Sequence, residues 1–125
     1  MLDKAQAHGI VLVTDRERAK QFYERCGLKV SADVSTGVFM EAADGSILAL
    51  IHRPDVTPAG HTVAGFQVED LNGTVGSLKE AGIEFEEYDS PGLKTVDSIA
   101  DLGAYQAAFI KDPDGNYLGI HEPPS

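Results

Sequence analysis

The sequence predicts an α+β fold in which two βαβββ modules form paired curved mixed sheets around a cleft. Two observations carry this expectation: the chain repeats itself, and each copy holds one helix among several strands. A third is size, since 125 residues suffice for a single domain with one core. The expected domain spans residues 1–125, built of repeats at about 5–52 and 61–122 joined by a linker at 53–60.

The first copy opens with "HGIVLVTDRERAKQFYERCGLKV" (8–30) and the second with "VAGFQVEDLNGTVGSLKEAGIEF" (63–85). A shift of 55 positions lays Val13 on Val68, Asp15 on Asp70 and Gly27 on Gly82. Each stretch reads as a strand, an Asp, a helix and a closing Gly. Asp15 and Asp70 can accept hydrogen bonds from the free N–H groups of a first helical turn. Ala19, Phe22, Tyr23 and Cys26 recur at helical spacing and form one apolar face, as do Val75, Leu78 and Ala81 with less bulk. Gly27 and Gly82 suit the left-handed position just past a helix end.

The copies also end alike. "ADGSILALIH" (43–52) resembles "PDGNYLGIHE" (113–122), each an Asp-Gly hairpin turn before an alternating strand. Here the shift is 70, so the second copy carries fifteen extra residues, which must fall between Glu87 and Ala108. Within them "DSPGLKTVDSIAD" (89–101) reads as a polar loop, of the kind that forms lids or binding loops. Asp97 is among its polar groups, and Tyr88 and Tyr105 flank it as aromatic walls. Between the copies, "HRPDVTPAGH" carries the linker signals Pro54, Pro58 and Gly60. One helix covers one sheet face, so the other faces are left to form the cleft.

Composition narrows the function. A formal net charge of −10 argues against nucleic acid and anionic membranes as partners and suits a neutral or cationic ligand. No apolar run approaches the roughly 18 residues of a membrane span, and "MLDKAQAHGIVLV" lacks the pattern of a signal peptide. Cys26 is the only cysteine, which excludes an intrachain disulfide and a cysteine metal cluster. A cytoplasmic protein is expected. "GLKTVD" lacks the spacing of a phosphate-binding loop.

The opening "HGIVLVTDRERAKQFYERCGL", the closing "DPDGNYLGIHE" and the internal repeat together resemble the vicinal oxygen chelate superfamily. That superfamily includes glyoxalase I, bleomycin-resistance proteins, fosfomycin-resistance enzymes and extradiol dioxygenases. The resemblance implies a divalent metal in the cleft with two ligands from each module. One is usually a His seven residues before the strand-ending Asp, the other a carboxylate five residues after the Asp of the Asp-Gly turn. In this sequence those positions are His8 and Ala49 in the first module, Val63 and Gly119 in the second. A catalytic zinc site takes about three protein ligands, and one imidazole does not supply them. The expectation is therefore a protein without metal or other cofactor that holds a small molecule in the cleft. The residues expected to line the ligand are His8, Leu12, Ala49, Val63, Gln67, Tyr88, Asp97, Tyr105, Gly119 and His121. The superfamily forms its cleft either within one chain or across a dimer, and a linker with Pro54, Pro58 and Gly60 permits both; a homodimer is expected.

The alternative is a metal-dependent lyase, isomerase or dioxygenase with a relocated site. Strand alternation gives His8, His61 and His121 the parity of the cleft face, so the three can supply ligands if they converge. His8 is then the catalytic candidate, with Glu41 or Asp97 as a carboxylate partner for acid–base work. His52 shares the parity of Leu48 and Leu50 and faces away. The face of Glu41 is left open by the sequence. Cys26 belongs to the helix side of the sheet, apart from His8.

Overall fold

The computed structural model describes residues 1–124; Ser125, the last residue of the expected domain, lies outside them. The chain divides into two compact units between Pro58 and Ala59, inside the segment expected as linker. The first contains β1 (His8–Val13), α1 (Arg16–Arg25), β2 (Lys29–Val34), β3 (Gly37–Glu41) and β4 (Ile47–His52). Its four strands form one mixed sheet in the order β1-β4-β3-β2, with β1 and β4 parallel and the other neighbours antiparallel. The second contains β5 (Thr62–Gln67), α2 (Leu71–Glu80), β6 (Asp89–Ser90), β7 (Leu93–Val96), β8 (Ile99–Asp101), β9 (Gln106–Lys111) and β10 (Tyr117–His121). Its sheet has the order β5-β10-β9-β8-β7-β6, again with the first and last strands of the unit parallel. The architecture is α+β, with two mixed sheets of four and six strands.

The helices begin and end where their side chains dictate. Asp15 accepts from Arg18 N at 3.0 Å and Asp70 from Gly73 N at 3.0 Å, each satisfying a first-turn donor that the helix cannot. Glu122 adds a second acceptor for α2, taking the Leu71 N–H at 3.0 Å. Gly27 and Gly82 stand at φ +105° and +87°, a conformation that a side chain disfavours. Ala19, Phe22 and Tyr23 of α1 are buried, and Cys26 caps the helix half-buried. In α2 the buried residues are Leu71, Val75 and Leu78. Ala81, expected on that face, is the exposed cap, because the helix ends one residue before it.

Each helix covers one face of its own sheet. Val11, Val13, Val38, Met40, Leu48 and Leu50 are at most 5% exposed and share one parity in the first unit. Ala108, Ile110, Leu118 and Ile120 do the same in the second. Burial of the Val, Leu, Ile and Met side chains among them contributes roughly 1.5–3 kcal/mol each.

The two Asp-Gly turns, alike in sequence, fold differently. Asp44 and Gly45 both have positive φ, 56° and 74°, the mirror-image turn that suits a two-residue hairpin. In the second unit Pro113 stands where the first has Ala43, and only Gly115 has positive φ, at 85°. A proline ring holds φ near −65° and so sets a turn of the ordinary hand. Asp112 completes it, its Oδ1 accepting from Asp114 N and Asn116 N at 2.9 Å each.

The fifteen extra residues are sheet, which corrects the expected loop at 89–101. They form two successive hairpins, β6–β7 and β7–β8. The β7–β8 turn is made by Asp97 and Ser98, both at positive φ (51° and 74°) without a glycine. Glu87 supplies what glycine would have made easy. Its carboxylate accepts from Ser98 Oγ at 2.5 Å, Ser98 N at 3.2 Å and Thr95 Oγ1 at 2.7 Å. These bonds, Ser98 first, hold the Glu87 carboxyl below the usual carboxylate range. The insertion leaves the sheet at a defined place. In the first unit, the pairing of β2 with β3 slips between Val30 and Ala32, around Ser31. In the second, Phe85 bridges to Ile110 and Glu86 N donates to Phe109 O at 2.8 Å, and β8 then takes over along β9 at Ala107. The shift of 55 lays Ser31 on Glu86, so a bulge in one copy is an insertion in the other.

Candidate functional site

Each sheet has a face turned away from its helix, and register decides what stands there. In the first unit β1, β4 and β3 align His8, Ile47 and Glu41 in one row. The next row is Ile10, Ala49 and Phe39, and the third Leu12, Ile51 and Gly37. Glu41, whose face the sequence leaves open, is thus on the same face as His8. The two flank Ile47 at two strand spacings, roughly 10 Å. The His8 ring meets Phe39 edge-on with centroids 6.5 Å apart. His52 lies on the helix side, its Nε2 3.2 Å from the Thr14 carbonyl oxygen.

In the second unit the corresponding face carries Gly65, Gln67, Tyr117, Gly119, His121 and Phe109. Val63 departs from its expected place. The pairing of β5 with β10 shifts register there, Thr62 opposing Tyr117 and Ala64 opposing Leu118. Thr62 therefore comes beside Gly119, its methyl carbon 3.5 Å from where a Cβ on residue 119 would lie.

The two small residues at the expected carboxylate positions have a neighbour in common. Ala49 is opposite Phe39 on β3, and Gly119 is opposite Phe109 on β9. A Cβ on Gly119 would stand 3.8 Å from the Phe109 ring. A phenyl ring thus lies beside each position where the family resemblance puts an acidic ligand. The repeat contains this signal, since the shift of 70 lays Phe39 on Phe109, but alternation alone does not reveal cross-strand partners.

Beside Gly119 is a cavity of about 210 Å³, lined by Gly60, His61, Thr62, Tyr88, Leu93, Phe109 and Tyr117. Tyr88 and Phe109 meet edge-to-face at 5.7 Å. The Lys111 ammonium sits 4.8 Å from the Tyr117 centroid and 3.4 Å from Glu86. Burial, with Glu86 nearby, raises the Tyr88 phenol above its ordinary value. Of this lining only Tyr88 is among the ligand residues expected from the sequence; Gly60, Thr62, Leu93, Phe109 and Tyr117 are not among them, and His61 is considered there only as a metal ligand.

His61 and His121 do not converge. Because β5 and β10 run parallel, Thr62 opposes Tyr117 and Gln67 opposes His121, at opposite ends of the pair. That separates them by about five residue rises, roughly 16 Å. His61 Nδ1 is 3.0 Å from the Thr62 carbonyl oxygen, and His121 Nδ1 is 2.8 Å from that of Glu122. The Tyr105 and His121 rings meet at a tilt, with centroids 5.4 Å apart. Among the described residues no three His, Cys, Asp or Glu side chains are grouped to hold a metal ion. Asp97 does not line the cavity beside Gly119. Its turn lines a second groove of about 630 Å³ that includes Asn72 of α2 and shares Leu93 with the cavity. Cys26 is no nucleophile at neutral pH, since burial pushes its thiol up to about 11.

A family model described as the glyoxalase/bleomycin resistance protein/dioxygenase superfamily matches residues 5–120. The chain belongs to that superfamily. Among solved structures it is similar to a bleomycin-binding protein complexed with bleomycin (TM-score 0.76, 21% identity, 96% of this chain and 99% of that one). It is similar also to a bleomycin resistance determinant encoded on transposon Tn5 (TM-score 0.75, 20% identity, 95% and 98% covered). The fosfomycin resistance protein FosX from Listeria monocytogenes shares the fold at TM-score 0.68 and 14% identity, with 96% and 93% covered. No curated protein sequence matches the chain.

The residues at the superfamily's usual ligand positions do not fit a divalent metal. They are one imidazole, His8, with Ala49, Val63 and Gly119, none of which has a donor side chain.

Proposed function

We propose that this protein binds a small neutral or cationic molecule on the open faces of its sheets, without a metal ion. The observation that carries the reading is the pair of small residues, Ala49 and Gly119, each opposite a phenylalanine. An acidic ligand pair gives way there to an apolar, roomier floor. The likeness to proteins named for binding or resisting bleomycin supports small-molecule binding. The net charge of −10 favours a ligand that is not anionic. A homodimer in the cytoplasm is part of the proposal, supported by the exposure of Ile10 at 59% in the middle of an open face and by the lone Cys26.

The test is a thermal-shift screen of neutral and cationic amphipathic compounds beside zinc, nickel, manganese and iron salts, together with metal analysis of protein purified without a His tag. A saturating ligand at about 100 times its Kd stabilises by about 2.7 kcal/mol. Stabilisation by organic compounds, with far less than one metal equivalent per chain, is the expected result. Stabilisation by metals alone, or near one equivalent bound, would overturn it.

A second reading rests on the row that places His8 and Glu41 on one face. It is acid–base chemistry on a small substrate held between them. Turnover lost in both His8→Ala and Glu41→Gln, with ligand affinity retained, favours it.

A further inference from the structure

The cavity beside Gly119 has walls specific enough to name the chemistry of its occupant. Three of its seven lining residues are aromatic, and the edge-to-face contact of Tyr88 with Phe109 sets two of those rings at 82° to each other. At about 210 Å³ it is smaller than the roughly 300–1,000 Å³ of a pocket for a whole drug-sized molecule, so it takes one ring of a ligand. The charge of that ring is constrained by Lys111. Its ammonium, paired with Glu86 at 3.4 Å, already occupies the Tyr117 ring 4.8 Å from the centroid, so a cationic ligand finds that aromatic face taken. Polarity is set at the rim by His61. A carbonyl oxygen can only accept, so the 3.0 Å contact of Nδ1 with Thr62 O puts the proton on Nδ1. In the neutral ring Nε2 is then an acceptor.

We infer that this cavity takes an uncharged aryl ring carrying a hydroxyl donor, the ring walled by Tyr88, Phe109 and Tyr117 and the donor bonded to His61 Nε2. The inference rests on the small-molecule reading above and narrows it to one ligand chemistry at one place.

The experiment is an NMR titration of the full chain at pH 8 with phenol, benzene, cyclohexanol and benzyltrimethylammonium, following backbone amides, Leu93 methyls and the Tyr and Phe ring signals. Phenol is expected to shift the signals of residues 60–62, 88, 93, 109 and 117 saturably, and to bind about five- to tenfold more tightly than benzene, the worth of one neutral hydrogen bond. His61 is exposed, so His61→Ala leaves the fold intact; it is expected to bring phenol down to the affinity of benzene while benzene is unchanged. Cyclohexanol binding as well as phenol would overturn the aryl assignment, and benzyltrimethylammonium binding more tightly would overturn the uncharged one. Equal phenol affinity in His61→Ala would overturn the role of Nε2. Shifts confined to the first unit, around His8 and Ala49, would overturn the whole assignment while leaving the broader small-molecule reading in place.

Discussion

Two glycines in the sheets make opposite predictions, because of what a methyl group would meet at each. A Cβ on Gly119 finds only ordinary contacts, with Thr62 at 3.5 Å and Phe109 at 3.8 Å. Glycine in a strand costs about 0.5–1 kcal/mol relative to alanine, so Gly119→Ala is expected to stabilise the fold by about that amount in chemical denaturation. A Cβ on Gly37 overlaps the Leu50 carbonyl oxygen, backbone that cannot swing aside. Gly37→Ala is expected to cost at least about 1–3 kcal/mol in the same measurement. The contrast gives Gly119 no structural reason to be a glycine, which leaves the space above it as its use. The position of Gly119 was legible from the repeat alone. What faces it was not, because Phe109 and Thr62 arrive by cross-strand register and by a register shift at Val63, and neither is written in local pattern.

Among the elements, the strand–helix–strand pattern and both helix caps followed directly from spacing, since Asp15, Asp70, Gly27 and Gly82 act on their own neighbours. The β6–β8 insertion did not. Its second turn uses Asp97 and Ser98 where a hairpin signal would show Asn-Gly or Asp-Gly, and the residue that holds them, Glu87, is eleven positions away from Ser98. That dependence is testable by pH. The Glu87 carboxyl is lowered in the folded state, so its contribution is present above the unfolded value and lost as pH falls through the folded one. Glu87→Gln is therefore expected to speed amide exchange at Ser98 and lower the melting temperature near pH 7. The difference from the parent should shrink below about pH 4. A difference that persists at pH 3 would show that shape, not charge, holds the turn.

For the molecule as a whole, the fold class was readable because duplication doubles every weak local signal. The relocated His site turned on strand direction, which no residue states: a parallel β5–β10 pair sends His61 and His121 to opposite ends. The sequence had left that choice open. The acidic balance acts on the entire chain. With a net charge of −10, self-repulsion opposes the compact state. Raising ionic strength from about 0.01 M to 0.15 M shortens the screening length from about 30 Å to 8 Å, and the melting temperature is expected to rise over that range. A flat or falling melting curve would show that attractive pairs such as Lys111–Glu86 outweigh the repulsion.

In both units the first strand is hydrogen-bonded to the last, β1 to β4 and β5 to β10. A chain that emerges from the ribosome in order therefore cannot close its first sheet until Ile47–His52 has appeared, nor its second until Tyr117–His121 has. The second wait is longer by the fifteen-residue insertion, roughly one to three seconds at typical rates of synthesis. Through that interval β5 has no partner and Leu71, Val75 and Leu78 have no sheet to cover, so the second half of the nascent chain is the longer exposed to chaperones and proteases.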